Sequence, residues 1–422
     1  MPLAVLEMND QALLIQAESG SLYAEPGFAR LSAEGVESGE AARASAWREP
    51  QHSYNQYWCH LNQAPLPANE QWARHHADIA FAQLKQLWQN AGKPERMVLL
   101  VPGSFTDQQL GLLLGMAGAL PAQPLAVIDS ALAACLQAGG ERLFVDLQLH
   151  QCVLSLCRMQ GQQVEISEQE VFPELGAIQV HNTVARHIST LLIDSARHDP
   201  LHASDSEQAI FDQAPEWLAR LRWEGEVPAT LHTRQGELPF ILRNAEIRRL
   251  LQERLRSIHA FLARYPDSPV LLSHASSMLA GLSDAFAEAE VAVQAEAVGN
   301  VLAHWAAILP QVPELSRVKS LKVDWSEAPP AQLNGRLATH LLLDNQALPL
   351  RKPVNIRVAG GRLERAGRMD TQAGLTLVLR NQSLEMLHNA TGLEASLPAY
   401  CVAGESVTVG EHQLPLIEVR DA

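Results

Sequence analysis

The chain has 422 residues, of which 47% are hydrophobic and 19% are charged, a balance typical of a globular protein with room for two or three domains. Its formal net charge of −15 repels phosphate backbones and anionic lipid, which argues against nucleic acid and membrane as partners. We find no signal segment, no run of roughly 20 apolar residues as a membrane helix requires, and no C-x-x-C pair among the five cysteines, so we expect a cytoplasmic protein with free thiols.

Strand and helix patterns alternate along the first 310 residues, which predicts an α/β fold. The first half is predicted to contain a strand and turn over Leu3–Ile15, a helix over Gln71–Gln89, a strand over Met97–Pro102, a helix over Gln108–Ala119, a strand in PLAVIDS, a helix over Ala131–Gln137, and a hairpin of Arg142–Asp146 and Cys152–Met159. The second half is predicted to contain helices over Val180–Ser195, Ala214–Leu221 and Asn244–Tyr265, a ribbon over Val227–Leu238, a strand in PVLLSH, and helices over Ala275–Ala287 and Ala295–Leu309.

The pattern changes after a proline-bearing stretch, ILPQVPELSR. Beyond it the segments are short, strand-like and separated by turn residues, as in HLLLDNQALPL and ESVTVGEHQLPLIEV, which is typical of a β-sandwich of about 100 residues. We therefore predict a first domain over residues 1–310, a linker over 311–320 and a β-sandwich domain over 321–422.

The order of these pieces resembles the ATPase domain of the 70 kDa heat-shock chaperones, a branch of the actin-like superfamily. The likeness lies in MVLLVPGSFTDQQLGLLLGMAGALPAQPLAVIDSALAAC followed by the hairpin RLFVDLQLHQCVLSL, and it continues through LPFILRNAEIRRLLQERL and SPVLLSHASSMLAGL. It covers roughly Leu3 to Leu309. The resemblance implies a two-lobed fold built from two ribonuclease H-like repeats, with a nucleotide and Mg²⁺ bound between the lobes.

The loops that grip the nucleotide in that family are altered here. The first hairpin, Asp-x-Gly-Thr-Thr in the family, reads Glu7-Met8-Asn9-Asp10-Gln11, and the second, Asp-x-Gly-Gly-Gly-Thr, reads Asp146-Leu147-Gln148-Leu149-His150-Gln151. The Gly-Gly of the adenosine loop reads Ser273-His274, with Ser276 following. Phosphates approach such turns too closely for a Cβ, so these replacements remove charge-assisted hydrogen bonds of about 1.5–3 kcal/mol each.

We therefore expect a non-catalytic, chaperone-like scaffold or regulatory interaction module without a cofactor or metal, whose protein partners the sequence does not identify. The alternative is a divergent ATPase that uses Glu7, Asp129 and Asp146 with ATP and Mg²⁺, and whose degenerate nucleotide loops contribute Asn9, Gln148, His150, Ser273, His274 and Ser276. Titration with ATP and Mg²⁺ distinguishes the two hypotheses. No lysine stands in Tyr54–Leu61, the segment that carries the family's catalytic lysine.

The C-terminal segments faintly resemble a forkhead-associated sandwich. Such modules place a Gly-containing turn before the last strand, where this chain has Gly404 to Gly410 followed by LPLIEV. Forkhead-associated modules bind phosphothreonine through Arg, Ser and Asn loops, and here Arg380, Ser383 and His388 match only loosely. We expect a plain β-sandwich used for protein interaction.

Overall fold

The computed structural model describes residues 3–17, 22–66, 72–138, 141–161, 163–234, 236–277, 290–291, 317–322, 338–350, 353–367, 374–380, 383–398, 401 and 403–419. The chain divides into two compact units, Met1–Ser326 and Glu327–Ala422. The first unit is mixed α/β and the second is β-rich, which confirms the predicted classes of structure at that level.

The strands of the first unit are numbered along the chain. They are β1 (Leu3–Glu7), β2 (Leu13–Ala17), β3 (Leu22–Glu25), β4 (Ala29–Ser32), β5 (Gly35–Ser38), β6 (Ser53–Tyr54), β7 (Arg96–Val101), β8 (Gln123–Asp129), β9 (Arg142–Leu147), β10 (Cys152–Gln160), β11 (Gln163–Phe172), β12 (Glu226–Thr233), β13 (Gly236–Arg243), β14 (Val270–Leu272), β15 (Glu290–Val291), β16 (Arg317–Val318) and β17 (Ser320–Lys322). The helices are α1 (Glu40–Arg43), α2 (His76–Asn90), α3 (Asp107–Gly118), α4 (Ser130–Ala138), α5 (Ala177–Ala196), α6 (Ser204–Glu224), α7 (Asn244–Leu262) and α8 (His274–Ser277).

Two six-stranded sheets form the centre of this unit, and they share one topology. The first has the order β16-β8-β7-β1-β2-β3 and the second β15-β14-β9-β10-β11-β17. In each, three consecutive strands form an antiparallel meander, and two later strands lie parallel to the first strand of the meander. The chain therefore builds the same five-strand arrangement twice and adds one short strand to each sheet.

Local sequence explains the central elements of both sheets. Strand β7 carries a continuous apolar run, and all but its first residue are buried, as expected for a strand covered on both faces. Helix α3 begins at a capping box in which Thr106 and Gln109 satisfy each other's backbone N–H groups. Helix α7 buries one stripe that includes Ile247, Leu251 and Leu255, because these residues recur on one helical face.

The segment after residue 316 belongs to the sheets of the first unit. Strand β16 lies parallel to β8 in the first sheet, and β17 lies antiparallel to β11 in the second. These strands fall partly within the stretch 311–320, for which the composition predicts a linker. A strand pair connected by one residue, Lys319, thus reaches both sheets.

The second unit contains two antiparallel sheets around one hydrophobic core. Its strands are β18 (His340–Leu343), β19 (Gln346–Pro349), β20 (Val354–Ala359), β21 (Arg362–Arg365), β22 (Gly374–Arg380), β23 (Ser383–Asn389), β24 (Ala395–Ser396), β25 (Ser406–Val409) and β26 (His412–Ile417). The sheet orders are β19-β18-β26-β25-β24 and β21-β20-β22-β23. Leu341, Ile356, Leu377 and Val407, drawn from both sheets, are fully buried in one cluster.

Most predicted elements of the first unit occur within a few residues of their expected positions. The helix predicted over Ala214–Leu221 begins ten residues earlier, at Ser204, and contains Pro215 in its interior. The ten-residue strand β11 was not predicted. The helix predicted over Ala295–Leu309 and most of the one over Ala275–Ala287 lie outside the described residues.

Candidate functional site at the junction of two hairpins

Two β-hairpin turns from the two large sheets meet inside the first unit. The first turn joins β1 to β2 and includes Asn9 and Asp10, and the second joins β9 to β10 and includes Gln148 and Leu149. All four residues are at most 4% exposed. In the ATPases that the sequence resembles, the two corresponding turns lie on opposite sides of the nucleotide phosphates. We call the contact between them the hairpin junction.

Asn9 and Asp146 form one half of the hairpin junction. The side-chain amide of Asn9 donates to Asp146 Oδ1 at 2.8 Å and to the carbonyl of Leu147 at 3.0 Å. The other carboxylate oxygen of Asp146 accepts a hydrogen bond of 3.1 Å from the amide of Gln148. Both oxygens of Asp146 are therefore engaged by neutral amides of the protein itself.

Asp10 forms the other half of the junction. Its Oδ1 accepts a hydrogen bond of 2.7 Å from the backbone N–H of Leu149. Its Oδ2 is buried and has no hydrogen-bond partner. The carbonyl of Asp10 accepts from the N–H of Gly27 at 2.8 Å, and a Cβ at Gly27 would lie only 2.8 Å from that same oxygen. Gly27 therefore binds the backbone of the first turn, while the carboxylate of Asp10 binds the backbone of the second turn.

Backbone N–H groups of both turns donate to acceptors within the chain. Beyond Leu149, the N–H of Gln148 donates to the carbonyl of Gln151. In the first turn, the N–H groups of Gln11 and Ala12 donate to the side chain and the carbonyl of Asn9. Gripping a phosphate requires such N–H groups to point at the ligand. Here at least four of them are already used.

Helix α5 begins directly against the second turn. The first helical N–H groups, of Ala177 and Ile178, donate to the carbonyls of Gln148 and Leu149 at 2.9 and 3.0 Å. These donors would otherwise be unsatisfied at a helix N-terminus. The approach is close enough that a Cβ at Gly176 would lie 2.4 Å from the backbone of His150. Glycine at this position therefore allows the helix to seat on the turn.

The carboxyl groups predicted as catalytic lie within electrostatic range of one another. Burial, together with the charge of Asp146, raises the pKa of Glu7 to about 8. Burial raises the pKa of Asp10 to about 7, although its hydrogen bond from Leu149 opposes the shift. The pKa of Asp146 is also raised by burial, against the hydrogen bonds from Gln148, Ser273 and Asn9, and Asp129 adds to the increase. The junction therefore favours protonated carboxyl groups.

Asp129 stands at the end of β8 and is fully buried. One oxygen accepts from the N–H of Ala131 at 3.0 Å, which satisfies a donor in the first turn of α4. The other accepts from the amide of Gln169 at 2.9 Å. Burial raises the pKa of Asp129, with a smaller opposing influence from Arg317 and Lys319.

The residues predicted for the adenosine loop link strands to one another. The Ser276 hydroxyl donates to the carbonyl of Val145 at 3.0 Å and accepts from the N–H of Leu147 at 2.8 Å. Ser273 Oγ lies 2.7 Å from Ser276 Oγ. These serines therefore connect the end of β14 to β9. The side chain of His274 lies outside the part of the chain that the structure describes.

The side chain of His150 forms its hydrogen bond with Asn55. Its Nε2 lies 2.9 Å from the carbonyl of Asn55, and burial lowers its pKa. In Tyr54–Leu61, where the resembling family carries a lysine, Tyr57 and Trp58 are buried and both donate to the side chain of Gln83. This segment supplies core packing at a position where the resemblance implies a catalytic group.

Sequence reasoning assigned no role to Asp10, Gln151 or Gln169, and it weighed Ser104 only as a hydrolase nucleophile, which the lack of a G-x-S-x-G motif argues against. Gln151 donates to Ser104 Oγ at 2.8 Å and to Gln148 Oε1 at 2.9 Å. Asp10 was quoted only as part of a degenerate loop. Its position beside Asn9 in a tight turn is a signal from which a hydrogen-bonding role could have been predicted.

Within the described residues, no three or more His, Cys, Asp or Glu side chains are arranged to hold a metal ion. No helix in that part of the chain is both long enough and apolar enough to cross a membrane.

No protein-family model matches the chain, and no curated protein matches it in sequence. The geometry of the hairpin junction is therefore the main indication of what the chain does.

Proposed function

We propose that the first 310 residues form a two-lobed fold of the actin and heat-shock chaperone type that no longer binds or hydrolyses ATP. In this proposal the chain acts as a chaperone-like scaffold or regulatory interaction module. The observation that carries it is the hairpin junction, where the two turns that would hold phosphates bind each other directly.

The duplicated sheet topology supports the proposed fold. Both large sheets place a meander of three strands beside two parallel strands in the same order. This is the strand order of a ribonuclease H-like repeat, and two such repeats make up an actin-like core. Helix α3 follows β7 and precedes the parallel strand β8 in the chain, as the connection between two parallel neighbours requires.

The occupied donors and acceptors support the loss of nucleotide binding. A triphosphate between the turns would have to break the bond from Leu149 to Asp10 and the bond from Asn9 to Asp146. Mg²⁺ at Asp146 would have to displace the amides of Asn9 and Gln148. Each of these buried bonds that is broken without replacement leaves an unsatisfied polar group, which costs about 1–3 kcal/mol. The ligand would also have to separate the two turns.

A second contact joins the parts of the chain that carry the two sheets. Trp47 stacks on Phe211 of helix α6 with ring centroids 3.8 Å apart. The side chain of Gln208 accepts from the N–H of Trp47 at 2.9 Å and donates to the carbonyl of Arg43 at 3.1 Å. Phe28 belongs to the same hydrophobic cluster as α6. Opening a cleft between the proposed lobes would expose these aromatic rings to water.

Isothermal titration calorimetry of the full chain with ATP and Mg²⁺ tests the proposal. We expect no binding at ATP concentrations up to about 1 mM. A dissociation constant of that size corresponds to a binding free energy of only about −4 kcal/mol. Phosphate release should stay at the rate seen without protein.

The same assay can refute the proposal. Micromolar binding of ATP, with turnover that disappears in Asp146→Ala and persists in the control Asp267→Ala, would establish the ATPase alternative. Asp267 is an exposed carboxylate outside the junction, so its substitution controls for a general loss of charge.

We assign partner binding to the β-rich second unit and to the acidic surface of the chain. A net charge of −15 favours a protein partner with a basic surface, because complementary charge speeds association and excludes competitors of like charge. Binding of such a partner should weaken as salt is raised.

A further inference from the structure

The segment Arg317–Lys322 pairs with both large sheets at once, and the geometry points to a role as a tether that keeps the hairpin junction closed. Arg317 is then the positioning residue that couples the tether to the junction. This inference rests on the proposed function, because it treats the junction as the closed form of a two-lobed unit.

The tether leaves the two sheets little freedom to separate. Val318 pairs with Ile128 of β8, and Ser320 pairs with Glu165 of β11. Two residues of extended chain span at most about 7 Å. The carbonyl of Lys319, the residue between the two strands, also accepts from the N–H of Ile166 at 2.9 Å. Movement of β8 away from β11 must therefore break one of these pairings.

Side chains of the tether pack into a core that both sheets share. Val318 is 8% exposed and belongs to a cluster with Leu100, Ile128 and Val164, which come from β7, β8 and β11. Leu321 packs against the same cluster. Removing the tether would expose apolar side chains from strands of both sheets to water, which is unfavourable.

A chain of hydrogen bonds connects Arg317 to the junction. One guanidinium nitrogen donates to the carbonyls of Pro102, Gly103 and Phe105 at 3.1–3.3 Å. The residue inside this loop, Ser104, accepts from Gln151 of the second turn. Gln151 in turn donates to the side chain of Gln148, which binds Asp146. Arg317 thus holds the loop at residues 102–105 in the position where it supports the second turn.

Amide hydrogen exchange of the full chain tests the tether, with Arg317→Ala and, separately, Val318→Ala. The reporter is the N–H of Leu149, whose acceptor is Asp10 across the junction. The reference is the N–H of Leu154, in the centre of β10. We expect the ratio of the Leu149 rate to the Leu154 rate to rise about tenfold in both variants, because the junction opens locally while the sheet stays folded.

The matched control is Lys322→Ala, an exposed residue at the far end of the tether, which should leave the ratio unchanged. If the ratio stays at the wild-type value in Arg317→Ala and Val318→Ala, the tether is only an added edge strand and the inference is wrong. The inference is then wrong even if the N–H of Ile166, which donates to the carbonyl of Lys319, exchanges faster in these variants. If Leu149 already exchanges freely in the wild type, the junction itself fails, and the proposed function fails with it.

Discussion

The carboxyl group of Asp10 offers a sensitive test of the hairpin junction, because its burial there links stability to pH. Its pKa is about 7 in the folded chain against an ordinary value of 3.8. The folded state therefore binds the proton more tightly than the unfolded state does. The resulting stabilisation is fully present below about pH 3.8 and is lost as the pH rises through 7. Above pH 7 the folded chain carries a buried charge with one unpaired oxygen.

Asp10→Asn removes this titration and keeps the hydrogen bond, since an amide oxygen can also accept from Leu149. Between about pH 5 and pH 8.5, the Asp10 carboxyl should lower the free energy of unfolding of the wild type by about 3 kcal/mol. Urea denaturation across this range measures it. The variant should match the wild type only below about pH 3.8, and its advantage over the wild type should grow by about 3 kcal/mol between pH 5 and pH 8.5, levelling off above pH 7.

Glu7→Gln is the matched comparison, because the pKa of Glu7 is about 8. The difference in free energy of unfolding between Glu7→Gln and the wild type should therefore keep growing up to about pH 8. The pKa of His181 is lowered by burial to about 4, so His181 adds stability as the pH rises from 4 to 6.5. That contribution is common to all three proteins and cancels in the differences. A difference between Asp10→Asn and the wild type that stays within about 0.5 kcal/mol at every pH would refute the buried junction.

Three further substitutions test the contacts around the junction, each by urea denaturation. Asn9→Ala should lower the free energy of unfolding by about 2–3 kcal/mol, because it leaves the buried Asp146 without one of its donors; a loss below about 0.5 kcal/mol would place Asn9 in water. Gly176→Ala should cost more than about 2 kcal/mol through a backbone clash, whereas Gly111→Ala, in an open helical site, should stabilise by up to about 1 kcal/mol. Equal effects of these two glycine substitutions would contradict the seating of α5. Trp47→Ala should cost about 2–4 kcal/mol by removing the aromatic stack; a neutral result would mean that the second contact between the proposed lobes is absent.

The central strands and amphipathic helices were predictable because their burial requires apolar residues at fixed positions within each element. The run MVLLV in β7 and the stripe of α7 each encode their surroundings in their own residues. Strand β11 has no such pattern of apolar residues. Its sequence QVEISEQEVF is largely polar, and most of its residues are partly or fully exposed. Its position follows from pairing with β10 and β17, which depends on residues far away in the chain.

Proline is consistent with the helix start that lies furthest from its predicted position. A proline is favoured in the first turn of a helix, where no N–H is needed, which fits the predicted start at Ala214, next to Pro215. In the structure α6 begins at Ser204 and continues through Pro215. Packing of Ile210 and Phe211 into the core that also contains Trp217 offsets the missing hydrogen bond. Tertiary contacts of this kind cannot be read from a local pattern.

The sequence indicated some residues of the candidate site but none of its contacts. Gln148 and Leu149 drew attention to the second turn, because they stand where the resembling family has glycine. The bonds from Asn9 to Asp146 and from Leu149 to Asp10 join residues more than a hundred positions apart. Which amide meets which carboxylate depends on the relative position of two sheets, and no spacing in the sequence records that position.

The proposed scaffold combines an ATPase-like fold with no catalysis, and the hairpin junction is compatible with both parts of that proposal. A nucleotide site needs turns that leave their N–H groups free and lobes that separate to admit the ligand, and both features cost stability in the absence of ligand. Replacing glycine by residues with side chains removes conformational freedom from the unfolded turns, and the new amides and carboxylates supply hydrogen bonds across the former cleft. In the proposed scaffold, the residues that stand where the resembling family has glycine therefore both exclude phosphate contacts and join the two sheets. If that reasoning holds, returning Gln148 and Leu149 together to glycine should destabilise the chain, with a lower urea midpoint, without restoring ATP binding; tight binding of ATP by that double variant would show that side-chain bulk alone closes the site.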